Sequence, residues 1–277
     1  MTEIRCAAVI GLGLIGGSLA RDLAARGVQV LGWDEDPGTL REAAGAGAIH
    51  AALDPALEGV TEAEVVVIAV PVGRARVVLE HAAPRLGRAR LVTDVGSTKR
   101  SVVAAAERLG LGERFVGSHP LAGDHRSGWG ASRTELFSGA RVFLCPASGA
   151  SDDALALAPS LWSAVGARPE TIGAAEHDRT LAWSSHLPQA LSSALARALA
   201  AAAVGSEDLG PGGRDATRLA ASSPGTWTEI ALDNADNLAE ALAAAEGELR
   251  ALRTALESAD GAGVHRFFAG AQRWSLG

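Results

Sequence analysis

Arg5-Cys6-Ala7-Ala8-Val9-Ile10 runs directly into Gly11-Leu12-Gly13-Leu14-Ile15-Gly16-Gly17-Ser18. The short apolar run reads as a strand, and the segment from Leu14 onward has helical periodicity. Glycines spaced G-x-G-x-x-G between a strand and a helix form a dinucleotide-binding fingerprint. Gly11 permits the tight turn, Gly13 lets the backbone approach a pyrophosphate, and Gly16 lets the helix close on the strand. Leu14 and Ile15 open the helix, whose unpaired N–H groups suit an anion, and Ser18 is a candidate cap. Asp34 ends the next apolar run, residues 28–33, where an acidic side chain accepts hydrogen bonds from the adenosine ribose. Glu35 and Asp36 follow, so a 2′-phosphate would meet negative charge and NAD is expected over NADP.

Working outward, residues 65–70 and 91–95 are further strand-like runs separated by helical patterns, the grammar of βαβ units. Residues 65–70 are continuously apolar, as expected of a parallel strand covered on both faces. Val70, at the carboxyl end of that run, is expected to border the cofactor. Shorter strands at 115–117, 141–144 and 169–172 extend the expected sheet to about residue 172, and from Ala174 onward the pattern is helical. The expected division is a doubly wound α/β domain over residues 1–172 and an all-α domain over 173–277. Leu238, Leu242, Leu249, Leu252 and Leu256 recur as one apolar stripe on a helix.

Of the 277 residues 48% are apolar and 21% charged, a globular mixture, and the net charge of −7 disfavours nucleic acid and anionic membrane surfaces as partners. No apolar run reaches the ~20 residues of a membrane span. The first residues lack a basic lead and apolar stretch, and only Cys6 and Cys145 are present, so a cytoplasmic, reduced protein is expected. Lys99 is the only lysine; every other basic side chain is arginine.

That lysine closes Asp94-Val95-Gly96-Ser97-Thr98-Lys99, at the carboxyl end of a strand, where open α/β sheets bind ligands. A compact ammonium placed there marks Lys99 as a candidate ligand-binding residue. His119, within Gly117-Ser118-His119-Pro120-Leu121-Ala122-Gly123, occupies another sheet end and is read as a loop imidazole suited to accept a proton near neutrality. The helical half supplies Glu176-His177-Asp178-Arg179 and Ser185-His186-Leu187-Pro188-Gln189. His177 and His186 lie about 180° apart on an ideal helix, so they share a pocket only if the bend at Pro188 or an earlier break reorients them. Neither HExxH nor a CxxC pair is present, and no metal is expected. Arg214 and Arg218, four residues apart, suit bidentate capture of a carboxylate, and Trp227 follows.

The ordered motifs at residues 11–18, 94–99, 117–123, 176–178, 185–189 and 212–220 together resemble the prephenate/arogenate dehydrogenases of tyrosine biosynthesis, over nearly the whole chain. The resemblance implies an N-terminal Rossmann domain, a C-terminal helical dimerisation domain, a homodimer, and NAD-dependent oxidative decarboxylation of a small cyclohexadienyl dicarboxylate or amino-acid substrate. It implies His119 as the base at the C4 hydroxyl, Ser97 as its hydrogen-bonding neighbour in the cofactor site, and Arg218 on a substrate carboxylate. His186, His177, Gln189, Arg214, Trp227 and Lys99 are implied around the substrate. Many relatives carry a histidine where this chain has Gln189, which leaves prephenate, arogenate and a 4-amino analogue of prephenate open. Two other readings share the fold: a different Rossmann oxidoreductase, such as a β-hydroxyacid dehydrogenase or imine reductase, and an NAD-sensing scaffold. Neither requires Ser97, His119 and Arg218 together.

Overall fold

In the computed structural model, which describes residues 4–123 and 126–277, strand β1 (Cys6–Ile10) is the middle of a five-stranded parallel sheet. On one side lie β2 (Gln29–Trp33) and β3 (Ala51–Ala52), on the other β4 (Val65–Ile68) and β5 (Leu91–Asp94). The strand order 3-2-1-4-5 reverses direction between β1 and β4, which opens a crevice beyond their carboxyl ends.

Successive strand residues point to opposite faces, and two apolar cores result. Ala7, Val9 and Val67 pack with Leu19 and Leu23 of α1 (Leu14–Ala24), Ala43 of α2 (Pro37–Gly45) and Trp162 of α5 (Asp152–Ala164). Ala8, Ile10, Val66 and Ile68 pack with Leu79 of α3 (Val72–Ala82) and with Val102 and Ala106 of α4 (Arg100–Arg108). Helices on both faces explain why these strands carry no alternating polar residues.

Strands β6 (Val116–Pro120), β7 (Arg141–Pro146) and β8 (Arg168–Thr171) form a second, three-stranded sheet, with β6 antiparallel to β7. This corrects the expectation of one sheet running to residue 172. A bridge at Val92–Phe115 joins the two sheets, but beyond it the Ser118 carbonyl is taken by the Lys99 ammonium, and the ladder does not continue.

From α6 (Ala174–Leu181) onward the described elements are helical: α7 (Leu187–Ala201), α8 (Pro211–Thr217), α9 (Pro224–Asp233), α10 (Ala235–Glu257) and α11 (Gly261–Leu276). Between α6 and α7 lies a π-helical turn, Ala182–His186. Pro188, in the first turn of α7, lacks the N–H that would continue the ladder behind it, and the wider turn takes up the mismatch. The leucine stripe of α10 is buried at Leu238 and exposed at Leu249 and Leu256. Among the described residues no helix is long and apolar enough to cross a membrane; the leader reading rested partly on residues 1–3, outside the described residues.

The helical half attaches to the sheet half through helix N-termini. The backbone N–H groups of Lys99 and Arg100 donate to Asp178 at 2.7 and 2.9 Å. The hydroxyls of Thr98 and Ser101 both donate to Asp233 at 2.7 Å. At the start of α3, Gly73 N donates to Glu229 at 3.0 Å. Carboxylates here meet orphan N–H donors and the positive end of the helix dipole. Asp233→Ala, which strips both hydroxyls of their acceptor, is expected to cost about 1–3 kcal/mol, read as a lowered urea midpoint with an unchanged slope.

Candidate active site

The turn after β1 separates two demands on glycine. Gly11 has φ +95°, and a Cβ there would lie 2.3 Å from the Ala69 carbonyl oxygen. A Cβ at Gly16 would lie 1.9 Å from the Gly11 carbonyl oxygen, so both are required by the protein's own packing. A Cβ at Gly13 would meet nothing within 4 Å; the space beside it is cleft. Gly13 precedes α1 without a side-chain cap, and the first-turn N–H groups at Leu14 and Ile15 border that space. Ser18 does not cap the helix as expected: its hydroxyl donates back to Leu14 O at 2.6 Å and accepts from Arg133 N at 3.0 Å.

Two hollows meet here, of about 340 and 400 Å³, sharing Gly13, Ala69, Val70, Pro71 and Gly128. The smaller is lined by Trp33, Asp34, Glu35 and Arg74. Asp34 accepts from Leu12 N at 2.8 Å and Asp36 N at 3.0 Å, so its carboxylate also holds the glycine turn in place. The larger is lined by Leu14, Ile15, Ser97, Arg126, Ser222, Thr226 and Trp227, which brings both halves of the chain to one cleft. A long cleft with an acidic residue at one end and open glycine backbone at its middle fits a dinucleotide.

His119 lies on strand β6, correcting its expected place in a loop. Strand alternation turns Ser118 toward Thr93 (2.8 Å) and Trp162 Nε1 (2.9 Å), and sends His119 the other way, toward α6. There His119 Nδ1 meets His177 Nε2 at 2.9 Å, and His177 Nδ1 meets Asp178 Oδ1 at 2.8 Å. His119 keeps 9% of its surface accessible. Burial, reinforced by the nearby Lys99 ammonium, pushes its pKa well below the usual 6.5 and keeps the imidazole neutral.

Several side chains expected on the substrate are committed elsewhere. Lys99 is 0% exposed: its ammonium pairs with the Asp94 carboxylate and donates to Ser118 O at 2.8 Å, because a buried charge needs a partner. His177 is also fully buried, with both ring nitrogens engaged. Gln189 staples α7 to the segment after α8, donating to Leu219 O at 2.8 Å and accepting from Ser222 Oγ at 3.3 Å. His186, buried, packs edge-on against Trp227 with ring centroids 5.8 Å apart, and burial lowers its pKa to about 4. The π turn brings both histidines inward, the reorientation that an unbroken helix forbids. The Arg214 guanidinium binds the Leu209 carbonyl of its own preceding turn. Arg218 is exposed, four residues before the cleft-lining Ser222 and outside the lining of both hollows.

Sequence reasoning gave no role to Asp178, Asn234, Arg126 or Ser222. Asn234 is buried and donates to the Asp178 carbonyl at 2.7 Å. It and Asn237 are the chain's only asparagines, a rarity that resembles the signal at Lys99.

A family model described as the nucleotide-binding domain of prephenate dehydrogenase matches residues 19–171, and one described as its dimerization domain matches 173–270. The chain belongs to the prephenate dehydrogenase family. A relative from Bacillus subtilis, a prephenate dehydrogenase, is 34% identical over 270 residues, 93% of this chain and 72% of its own length. Among solved structures, the Aquifex aeolicus prephenate dehydrogenase in complex with hydroxyphenyl propionate and NAD+ is similar at a TM-score of 0.88 and 29% identity, covering 99% of each chain. The Synechocystis arogenate dehydrogenase is similar at a TM-score of 0.83 and 29% identity, covering 98% of this chain and 100% of that one.

Three substitutions follow for this family member. Gly13→Ala is expected to fold with near-normal stability and to lose about tenfold or more in dinucleotide affinity. Gly16→Ala is expected to lose about 1–3 kcal/mol of stability through overpacking; calorimetric titration and thermal melts on both variants separate the two roles. Lys99→Met leaves the Asp94 carboxylate buried and unpaired, and a loss of about 3–5 kcal/mol is expected in urea unfolding.

Proposed function

We propose that this chain is an NAD-dependent oxidoreductase that oxidatively decarboxylates prephenate or arogenate. The observations that support the reading are the neutral, anchored imidazole of His119 on β6 and a cleft that both halves of the chain build. Gly11, Gly13, Leu14, Ile15, Val70 and Asp34 are the residues that would hold NAD, with Gly16 keeping the turn closed behind them; NAD would supply a hydride acceptor for C4 of the ring. His119 takes the C4 hydroxyl proton, the C1 carboxylate leaves as CO2, and aromatisation drives the sum. Ser97, on the turn after β5, orients that hydroxyl. The family resemblance assigns Arg218 to a substrate carboxylate, and Arg126 is a cation on the cleft wall itself. Trp227 and Val70 shape an apolar wall that fixes the ring near the cofactor.

The active unit in this reading is a homodimer. The domain matched at residues 173–270 is described as a dimerization domain, and α10 and α11 leave Leu249, Leu256, Phe268 and Trp274 exposed. Two substrates remain in play because relatives of both names are similar to the chain. Gln189 does not choose between them, since its amide is spent on Leu219 and Ser222.

Purified protein incubated with NAD and either prephenate or arogenate is expected to produce NADH, followed by its absorbance. His119→Asn is expected to lower kcat by about 10²–10⁴-fold, with NAD affinity unchanged. No NADH from either substrate would reject the reading.

A further inference from the structure

His177 and Asp178 take no part in the reaction as given above, yet their hydrogen bonds determine where protons sit. Asp178 accepts from the backbone N–H groups of Lys99 (2.7 Å) and Arg100 (2.9 Å) and from Arg100 Nε (3.4 Å). These groups can only donate. Burial opposes ionisation of Asp178, but hydrogen bonds from His177, Arg100 and Lys99 outweigh it and hold the carboxyl below its usual range. An ionised carboxylate can only accept, so its 2.8 Å contact with His177 places a proton on His177 Nδ1.

A neutral imidazole carries one N–H, and we infer from its surroundings that His177 is held in that form. It is fully buried, it lies beside a second imidazole, and the charge of Asp178 is already matched by Arg100 and the N-terminus of α4. His177 Nε2 is therefore a lone pair, and in the 2.9 Å contact His119 Nδ1 must be the donor. That leaves the lone pair of His119 on Nε2.

We propose that His177 and Asp178 are positioning residues that lock His119 in its Nδ1–H tautomer, so that Nε2 is the atom that accepts a proton. The inference rests on His119 as the base of the reaction above. The hydroxyl proton passes to Nε2 and makes an imidazolium, the Nδ1 proton stays in its bond to His177, and the Asp178 charge steadies the cation through the intervening ring. The logic is that of a carboxylate orienting a catalytic imidazole, extended by one ring. Without an acceptor at Nδ1 the ring is free to carry its proton on Nε2, where it cannot act as a base.

The test uses the full chain and two variants. Side-chain 15N spectra of the ligand-free wild type, with His119 assigned by its loss in His119→Asn, are expected to show a protonated Nδ1 and an unprotonated Nε2. His177→Leu is expected to populate the other tautomer and to lose about 10²-fold in kcat, with NAD affinity unchanged. His177→Gln, whose carbonyl can still accept from Nδ1, is expected to keep the wild-type tautomer and recover most of that loss. A protonated Nε2 in the wild type, or an unaltered kcat in His177→Leu, would overturn the proposal. Should both variants fail to fold, the wild-type spectrum decides. Because the spectra need no substrate, a wild type that turns over neither prephenate nor arogenate would reject the reaction and leave the tautomer result standing.

Discussion

One carboxylate, that of Asp178, closes the N-terminus of α4 and faces His177 at once. A buried negative charge is costly unless donors surround it, and α4 presents two backbone N–H groups and the Arg100 side chain at that spot. The bond that joins the helical half to the sheet half therefore also orients the ring behind His119. The Asp178 backbone extends the effect: its carbonyl accepts from Asn234 Nδ2, and the same amide nitrogen lies 3.2 Å from His186 Nδ1. A carbonyl cannot donate, which fixes the amide orientation and makes His186 Nδ1 the acceptor. Docking of the two halves and placement of three imidazoles are thus one problem with one solution.

Beneath this network the Lys99–Asp94 pair sits fully inside the sheet half. Such a pair is weak support for stability in itself, since desolvation offsets much of its attraction, but losing one partner strands the other. Its position matters more. The ammonium draws in the Ser118 carbonyl next to His119, and Asp94 also accepts from Gly96 N at 2.8 Å, which shapes the turn that carries Ser97. The turn and the strand that carries His119 are tied to the same buried charges, so neither moves alone.

Much of this was legible from the chain. The parallel core strands announced themselves as unbroken apolar runs, because burial on both faces removes the need for alternation. The glycine turn was readable because Gly11 and Gly16 answer local steric demands and Gly13 leaves its backbone open. The histidine at position 119 was misplaced as a loop residue, since His-Pro next to glycine looks like a turn until the pairing of His119 with Phe143 makes it a strand. The rarity of Lys99 marked it as special, but rarity does not say in which direction a side chain points.

Local order therefore belonged to the sequence: the alternation of strands and helices, the cofactor turn, and the switch to helices after Thr171. These are set within a few residues by periodicity and backbone sterics. Tertiary structure decided which groups meet. His177 stands behind His119 across 58 residues, and Asp178 caps α4 across 79. No local pattern encodes such contacts, because hydrogen-bond partners are selected by the burial of both halves together, which only the folded chain achieves.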